Sequence, residues 1–242
     1  MSNNISSYNY KKHSKDIEVE TKYLLHTDVT SVKEQVLQCF IDDRFKIKGN
    51  ISYDDILFIN DVYYDTFDWQ LLKKGISLRL RHKENRAFIT FKSSLNHLTG
   101  QRGQLERFER ERKIPAPDIY SEECAEFIKS CLNDIGESDF LVSHEVVKAV
   151  TICNKRCLYK VKKGAEKYEV AFDDVTYFSE VTKIKYSEQQ LEIEKRSKLT
   201  SVKQMLNTIK KLEAGLGEII EPCSESKFER AYRFTTSYVP HA

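Results

Sequence analysis

Near the amino terminus, Glu18-Val-Glu20-Thr-Lys22 places two carboxylates and an ammonium at every second position. Residues two apart on a strand share a face, so in an extended chain these three point one way and Val19, Thr21 and Tyr23 the other. The same period returns along the chain. Arg79 and Arg81 alternate with Leu78 and Leu80, and Phe88, Thr90 and Lys92 with Ile89 and Phe91. Arg107, Glu109, Glu111 and Lys113 make another charged face, Glu169 and Asp173 flank Ala171, and Glu192 and Glu194 alternate with Leu191 and Ile193. Any one of these faces is what a half-solvated sheet shows. Together they sort by sign, acidic at 18/20 and 192/194 and basic at 79/81, and like charges side by side repel unless a counter-charge relieves them. Clustered carboxylates suit hard divalent cations such as Mg²⁺ or Mn²⁺, and clustered Arg and Lys suit phosphate oxygens. Both sets on one fold describe a site for a metal-bound polyphosphate.

Those faces need strands to carry them. Alternating segments fall at 17–25, 57–64, 76–82, 87–93, 105–114, 144–151, 153–162, 166–173, 190–195 and 228–238, a spacing that predicts a meandering antiparallel sheet or barrel. Three stretches carry helical periodicity instead. Ser31 and Glu34 form a capping-box signature ahead of Val32, Val36, Cys39 and Phe40. A second helix starts near Ser121 with Cys124, Phe127, Ile128, Cys131, Leu132 and Ile135 on one stripe. A third runs from about Thr200 to Ala214 and stops at Gly215 or Gly217. Gln101–Gly103 and Lys163–Gly164 are turn sites, and 174–189 is a charged insertion with no assigned element. Amphipathic helices need apolar surface to cover; if the strands' apolar faces meet them outside, the charged faces line the inside.

Bulk properties bound the rest. The 242 residues fit one large domain, placed at 16–238 behind a tail over 1–15 rich in Ser, Asn, Lys and Tyr. With 39 basic and 37 acidic residues the net charge is +2, which argues against a dedicated nucleic-acid surface. No apolar run approaches membrane-spanning length, and no apolar core of a signal peptide opens the chain. Cys39, Cys124, Cys131, Cys153, Cys157 and Cys223 include no CxxC pair, so reduced thiols and a cytoplasmic location are the expectation. His13, His26, His82, His97, His144 and His241 show no metal-ligand spacing.

Glu18-Val-Glu20-Thr-Lys22 reads as an ExExK signature. It is followed in order by Tyr64-Asp65-Thr66, Leu78-Arg79-Leu80-Arg81, Thr90-Phe91-Lys92, Leu191-Glu192-Ile193-Glu194 and Ser226-Lys227-Phe228-Glu229-Arg230. As an ordered set, over roughly 17–235, this resembles the CYTH superfamily of triphosphate tunnel metalloenzymes. The resemblance implies an α+β fold, an eight-stranded antiparallel β-barrel open at both ends with helices packed outside. It also implies roles. Glu18 and Glu20 would help hold Mg²⁺ or Mn²⁺ and position the attacking water, with Glu192 and Glu194 as further metal ligands. Lys22, Arg79, Arg81 and Lys92 would grip phosphate oxygens. Glu109 looks like the mid-barrel acid, with Glu111 as a competing register, and Arg156 like the arginine of a later strand, with Lys155 as its competitor. Asp173 would be the metal-binding aspartate that follows, and Lys227 the carboxy-terminal lysine that meets phosphate.

Among substrates, inorganic tripolyphosphate comes first, because the segment from the third helix through Arg230 most resembles inorganic triphosphatases. Ser77 stands where thiamine triphosphatases carry a tryptophan, and Trp69 reads as packing. A class IV-type adenylate cyclase, acting on ATP, is the enzymatic alternative, with nucleoside, thiamine and RNA triphosphatases also open. A polyphosphate- or nucleotide-binding module is the non-enzymatic one, disfavoured because phosphate capture alone has no use for four paired carboxylates.

Overall fold

The computed structural model describes residues 17–48, 56–83, 85–94, 104–140, 144–180 and 182–237. The expected tail at 1–15 and the turn at 101–103 lie outside them. In chain order the elements are β1 (Ile17–Leu25), α1 (Val29–Asp42), β2 (Lys46–Lys48), β3 (Leu57–Asp65), α2 (Gln70–Lys73), β4 (Ile76–Lys83), β5 (Arg86–Ser94), β6 (Gln104–Ile114) and α3 (Glu122–Asp134). The second half adds β7 (Val147–Lys163), β8 (Glu166–Ser179), β9 (Lys185–Lys195), α4 (Val202–Leu216), β10 (Ile220–Pro222) and α5 (Lys227–Ser237).

Eight strands close on themselves in the order β1-β6-β5-β4-β3-β7-β8-β9 and back to β1, every neighbour antiparallel. The short β2 and β10 extend β7 and β1. Directly opposed residues share a face, so the register states what lines the barrel: Glu18 opposes Arg107, Lys92 opposes Glu109, Asp61 opposes Arg81, Arg156 opposes Asp173 and Lys22 opposes Glu192. The charged faces run round the inside. Outside, Val19, Tyr23, Phe172, Leu191 and Ile193 form one core under α1 and α4, and Leu78, Leu80, Ile89, Phe91 and Phe108 another under α3. Burying each such aliphatic or phenyl side chain contributes about 1.5–3 kcal/mol, so the helices fix which way every strand faces.

Four sequence expectations need correction. The α1 N-cap is Asp28, whose carboxylate accepts from Thr30 N at 2.9 Å, so the helix starts before the Ser31/Glu34 signature. The segments at 144–151 and 153–162 are one strand, β7, of 17 residues. The charged stretch 174–189 is no insertion: β8 runs on to Ser179 and β9 begins at Lys185, so it holds the far arms of one hairpin. The segment 228–238, read as an alternating strand, is the helix α5 over 227–237. Its start was legible. Ser226 Oγ accepts from Glu229 N at 3.1 Å while Glu229 Oε2 accepts from Ser226 N at 2.6 Å, a reciprocal capping box. Phe228, Ala231 and Thr235 then recur on one buried face.

That helix also changes the tunnel. Phe228 and Ala231 are buried in one cluster with the inward residues Tyr63, Val150, Ile152, Val175 and Tyr177, and Phe228 stacks on Tyr63 with ring centroids 4.8 Å apart. One end of the barrel is filled, where the resemblance implied two openings. Trp69 packs against Phe228 and Tyr232, in keeping with its reading as a packing residue. Asp65, from Tyr64-Asp65-Thr66, accepts from the backbone N–H of Thr66, Leu71 and Leu72 at 2.7–2.9 Å, tying the β3–β4 connection into shape.

Candidate active site

Inside the barrel lies a cavity of about 240 Å³ lined by charged side chains from β1, β4, β5, β6, β7, β8 and β9, with α5 at its floor. Three charge clusters make up its wall. At one side Lys92 Nζ donates to both oxygens of Glu18, at 2.9 and 2.7 Å, and stands 3.2 Å from Glu109 Oε1. Arg107 Nη2 bridges Glu20 Oε1 at 2.6 Å and Glu18 Oε2 at 3.0 Å. Burial opposes ionisation of Glu18, yet Lys92 and Arg107 outweigh it and hold its carboxyl far below the usual range. For Glu109 burial wins and, with the Glu18 charge, raises the carboxyl despite Lys92 and Arg79.

Opposite, Arg156 donates from Nε and Nη2 to the two oxygens of Asp173 at 2.7 and 2.6 Å and pairs with Glu192. Lys227, at the start of α5, reaches the same two acids at 2.9 and 2.5 Å. Lys22 Nζ stands 3.3 Å from Glu192 Oε1 and 3.8 Å from Glu20 Oε1, linking this cluster to the first. Against burial, Lys227, Lys22 and Arg156 lower the Glu192 carboxyl well below its ordinary value.

The third cluster sits on β3 and β4. Arg81 Nε and Nη2 grip Asp61 Oδ1 and Oδ2, each at 2.8 Å, and Arg79 Nη1 approaches Asp61 Oδ2 and the Tyr63 hydroxyl at 3.4 Å. Burial raises the Asp61 carboxyl, Arg81 and Arg79 lower it more, and the balance is about 2. Glu109 and Glu111, two apart on β6, both face inward and each lies 3.9 Å from Arg79 Nη2, so the two registers were no choice. Arg156 lines the cavity and Lys155 does not.

All twelve expected positions, Glu18, Glu20, Lys22, Arg79, Arg81, Lys92, Glu109, Arg156, Asp173, Glu192, Glu194 and Lys227, therefore meet in or around one space. Charge sign alternates across neighbouring strands more than sorting by strand implied, and the acids and bases largely neutralise each other. Asp61 and Arg107 were missed as site residues. Arg107 shares the period-two face of Glu109 and Glu111 and was visible there. Asp61 sits among the apolar inward residues Leu57, Ile59 and Tyr63, and only the register with Arg81 exposes it.

The fit to a divalent cation is tested by Glu194. It opposes Glu20 directly across β1 and β9. Burial and then the charges of Glu18 and Glu20 push its carboxyl up to about 7, with Arg196 opposing. Three carboxylates at such close quarters are an oxygen-donor set that a hard divalent cation would relieve. As arranged, no three acidic, His or Cys side chains among the described residues form a ready-made cage, and Arg107 pairs with both Glu18 and Glu20. On the basic side, the Nε–H groups of Arg79 and Arg107 are buried without a hydrogen-bond acceptor among the described residues.

Fold and site define a class: a closed antiparallel barrel with helices outside and an ionic interior. The family model of the CYTH domain matches residues 16–232, and the chain belongs to that family. No curated protein matches it. Among solved structures, a candidate adenylate cyclase from Bacillus halodurans is similar at 18% identity and a TM-score of 0.52, covering 89% of this chain and 98% of its own. A candidate adenylyl cyclase from Hippeastrum with a dominant triphosphatase activity is similar at 18% identity and a TM-score of 0.53, covering 92% of this chain and 98% of its own. At that identity the likeness is one of fold. No helix among the described residues is long and apolar enough to cross a membrane.

Proposed function

We propose that this protein is a divalent-metal-dependent triphosphatase that hydrolyses inorganic tripolyphosphate to pyrophosphate and phosphate inside its barrel. The observation that carries the reading is the convergence of Lys22, Arg79, Arg81, Lys92, Arg156 and Lys227 with the paired acids of β1 and β9 on one cavity of about 240 Å³. The triphosphatase activity of the Hippeastrum protein, which shares the fold, supports it.

A bound Mg²⁺ or Mn²⁺ would neutralise phosphate charge and polarise the bond to be broken. Glu18, Glu20, Glu192 and Glu194, with Glu109 and Asp173 nearby, would hold it through oxygen. Arg79, Arg81 and Arg156 offer phosphate oxygens the guanidinium donors that Asp61 and Asp173 leave free, and Lys22, Lys92 and Lys227 add point charges around the chain. Preorganised in this way, they stabilise charge on the transferred and leaving oxygens with no reorganisation at the moment of reaction. Glu18 and Glu20 orient the water for in-line attack, and no covalent nucleophile is needed. α5 closes one end, so the triphosphate enters by the other.

Leu57, Ile59 and Leu158 line the cavity toward that open end, and this apolar strip favours one second reading, a nucleoside triphosphate whose base rests there. Phosphate and pyrophosphate release from tripolyphosphate, ATP, thiamine triphosphate and pyrophosphate in Mg²⁺ and in Mn²⁺ separates the two. Faster phosphate release from tripolyphosphate is expected. Cyclic nucleotide formed from ATP with little turnover of tripolyphosphate would replace the first reading by the cyclase one.

A further inference from the structure

Arg107 touches both carboxylates of Glu18-Val-Glu20. Its Nη2 lies 2.6 Å from Glu20 Oε1 and 3.0 Å from Glu18 Oε2, in the space between the acids proposed to hold a divalent cation. A carboxylate oxygen can accept a hydrogen bond and bind a cation at once, but an Nη2 lodged between the two acids at these distances takes the position where an ion bridging them would sit. The arginine is 8% exposed, its Nε–H has no acceptor, and it lines the cavity beside Lys92 and Glu109. A long side chain on β6 with an unused donor next to a polyanion site has somewhere else to go. Glu18 keeps Lys92 as a partner when the arginine leaves, whereas Glu20 keeps, among the described residues, Lys22 at 3.8 Å.

We propose that Arg107 is a displaceable counter-ion. It occupies the Glu18–Glu20 pair while no divalent cation is bound, and turns to a phosphate oxygen when metal and triphosphate enter, so that each ligand tightens the other. The proposal rests on the triphosphatase reading and adds coupling to it. Metal alone must evict a buried cation that then keeps only the weaker pull of Glu109 and Glu192. Triphosphate supplies a new partner. Linkage makes the effect reciprocal: whatever factor the anion adds to metal affinity, the metal adds to anion affinity. Arg107 is thus a positioning residue whose effect shows in binding before any turnover.

The test is Mn²⁺ binding by isothermal titration calorimetry to the wild-type protein, Arg107→Met and Arg107→Lys, each with and without the uncleaved imido analogue of tripolyphosphate. The affinity of Mn²⁺ for the analogue in free solution is measured separately and subtracted. In the wild type the analogue should tighten Mn²⁺ binding roughly tenfold or more. Arg107→Met should bind Mn²⁺ alone roughly tenfold more tightly than the wild type and gain little from the analogue. Arg107→Lys, too short to cover Glu20 fully, should show part of that gain, and it serves if the methionine variant does not fold. If neither variant binds Mn²⁺ alone more tightly than a wild type that releases phosphate in Mn²⁺, the proposal falls and the triphosphatase reading stands. If no protein binds Mn²⁺ with or without the analogue, both fall.

Discussion

Replacing Asp61 by Asn removes a charge and keeps the shape, at a residue 2% exposed that holds two arginines of the cavity wall. Arg81 loses the charge and one of its two oxygen acceptors at 2.8 Å, and Arg79 loses the charge it faces at 3.4 Å while keeping the Tyr63 hydroxyl. What remains is a buried and a half-buried guanidinium two residues apart on β4 without their shared counter-charge. Breaking a buried ion pair from one side costs about 3–5 kcal/mol. An independent figure comes from the carboxyl itself. Its displacement from 3.8 to about 2 corresponds to roughly 2.5 kcal/mol of stability. Because the folded value is depressed, that contribution is full above the unfolded value and fades as pH falls from 3.8 through about 2. Urea unfolding at pH 7 should show Asp61→Asn less stable by about 3 kcal/mol, and the gap should narrow on acidification toward pH 2. Added tripolyphosphate should recover more stability in the variant than in the wild type, since phosphate replaces the missing charge beside Arg79 and Arg81. A variant as stable as the wild type at pH 7, with an unchanged acid limb, would refute the claim that Asp61 holds the arginines in place.

Two further outcomes follow from other parts of the barrel. Phe228→Ala empties the apolar plug against Tyr63, Val150 and Tyr177 and should cost about 3–5 kcal/mol in urea unfolding; a loss under about 1 kcal/mol would mean that α5 does not seal that end. Glu194 carries a folded value of about 7 against an ordinary 4.5, so its contribution to stability is full below 4.5 and lost as pH rises through 7, by up to about 3 kcal/mol. Without divalent ions, Glu194→Gln should therefore flatten the fall in stability between pH 5 and 8, and an unaltered slope in the variant contradicts the crowding of Glu194 against Glu18 and Glu20.

Much of the barrel was legible because period two is a strong signal when one face is charged and the other is Leu, Ile or Phe. Leu78-Arg79-Leu80-Arg81 and Leu191-Glu192-Ile193-Glu194 each declare both their faces, and helices such as 122–134 supply the apolar surface that decides which face turns out. The signal failed where inside and outside look alike. β7 and β8 carry Val150, Ile152, Val175 and Tyr177 inward at the filled end, so their far halves lose the charged–apolar contrast and 174–189 read as an insertion. α5 failed for a different reason. Its Phe, Tyr and Thr content favours strand, while the local hydrogen bonds of Ser226 with Glu229 and the burial of Phe228 decide for helix. Pairing between clusters was out of reach too. That Asp61 meets Arg81, or that Arg107 reaches Glu20, depends on strand register, which no single segment encodes.

The central claim is that acids and bases gathered inside the barrel act together on a triphosphate. It is tested most directly by phosphate release from tripolyphosphate in Mn²⁺, comparing the wild type with Glu20→Gln. The account predicts metal-dependent release by the wild type and a loss of at least about a hundredfold in the variant, the scale on which a single group that positions the reacting atoms contributes. Equal release by the two proteins, or release that persists in excess chelator, would contradict it.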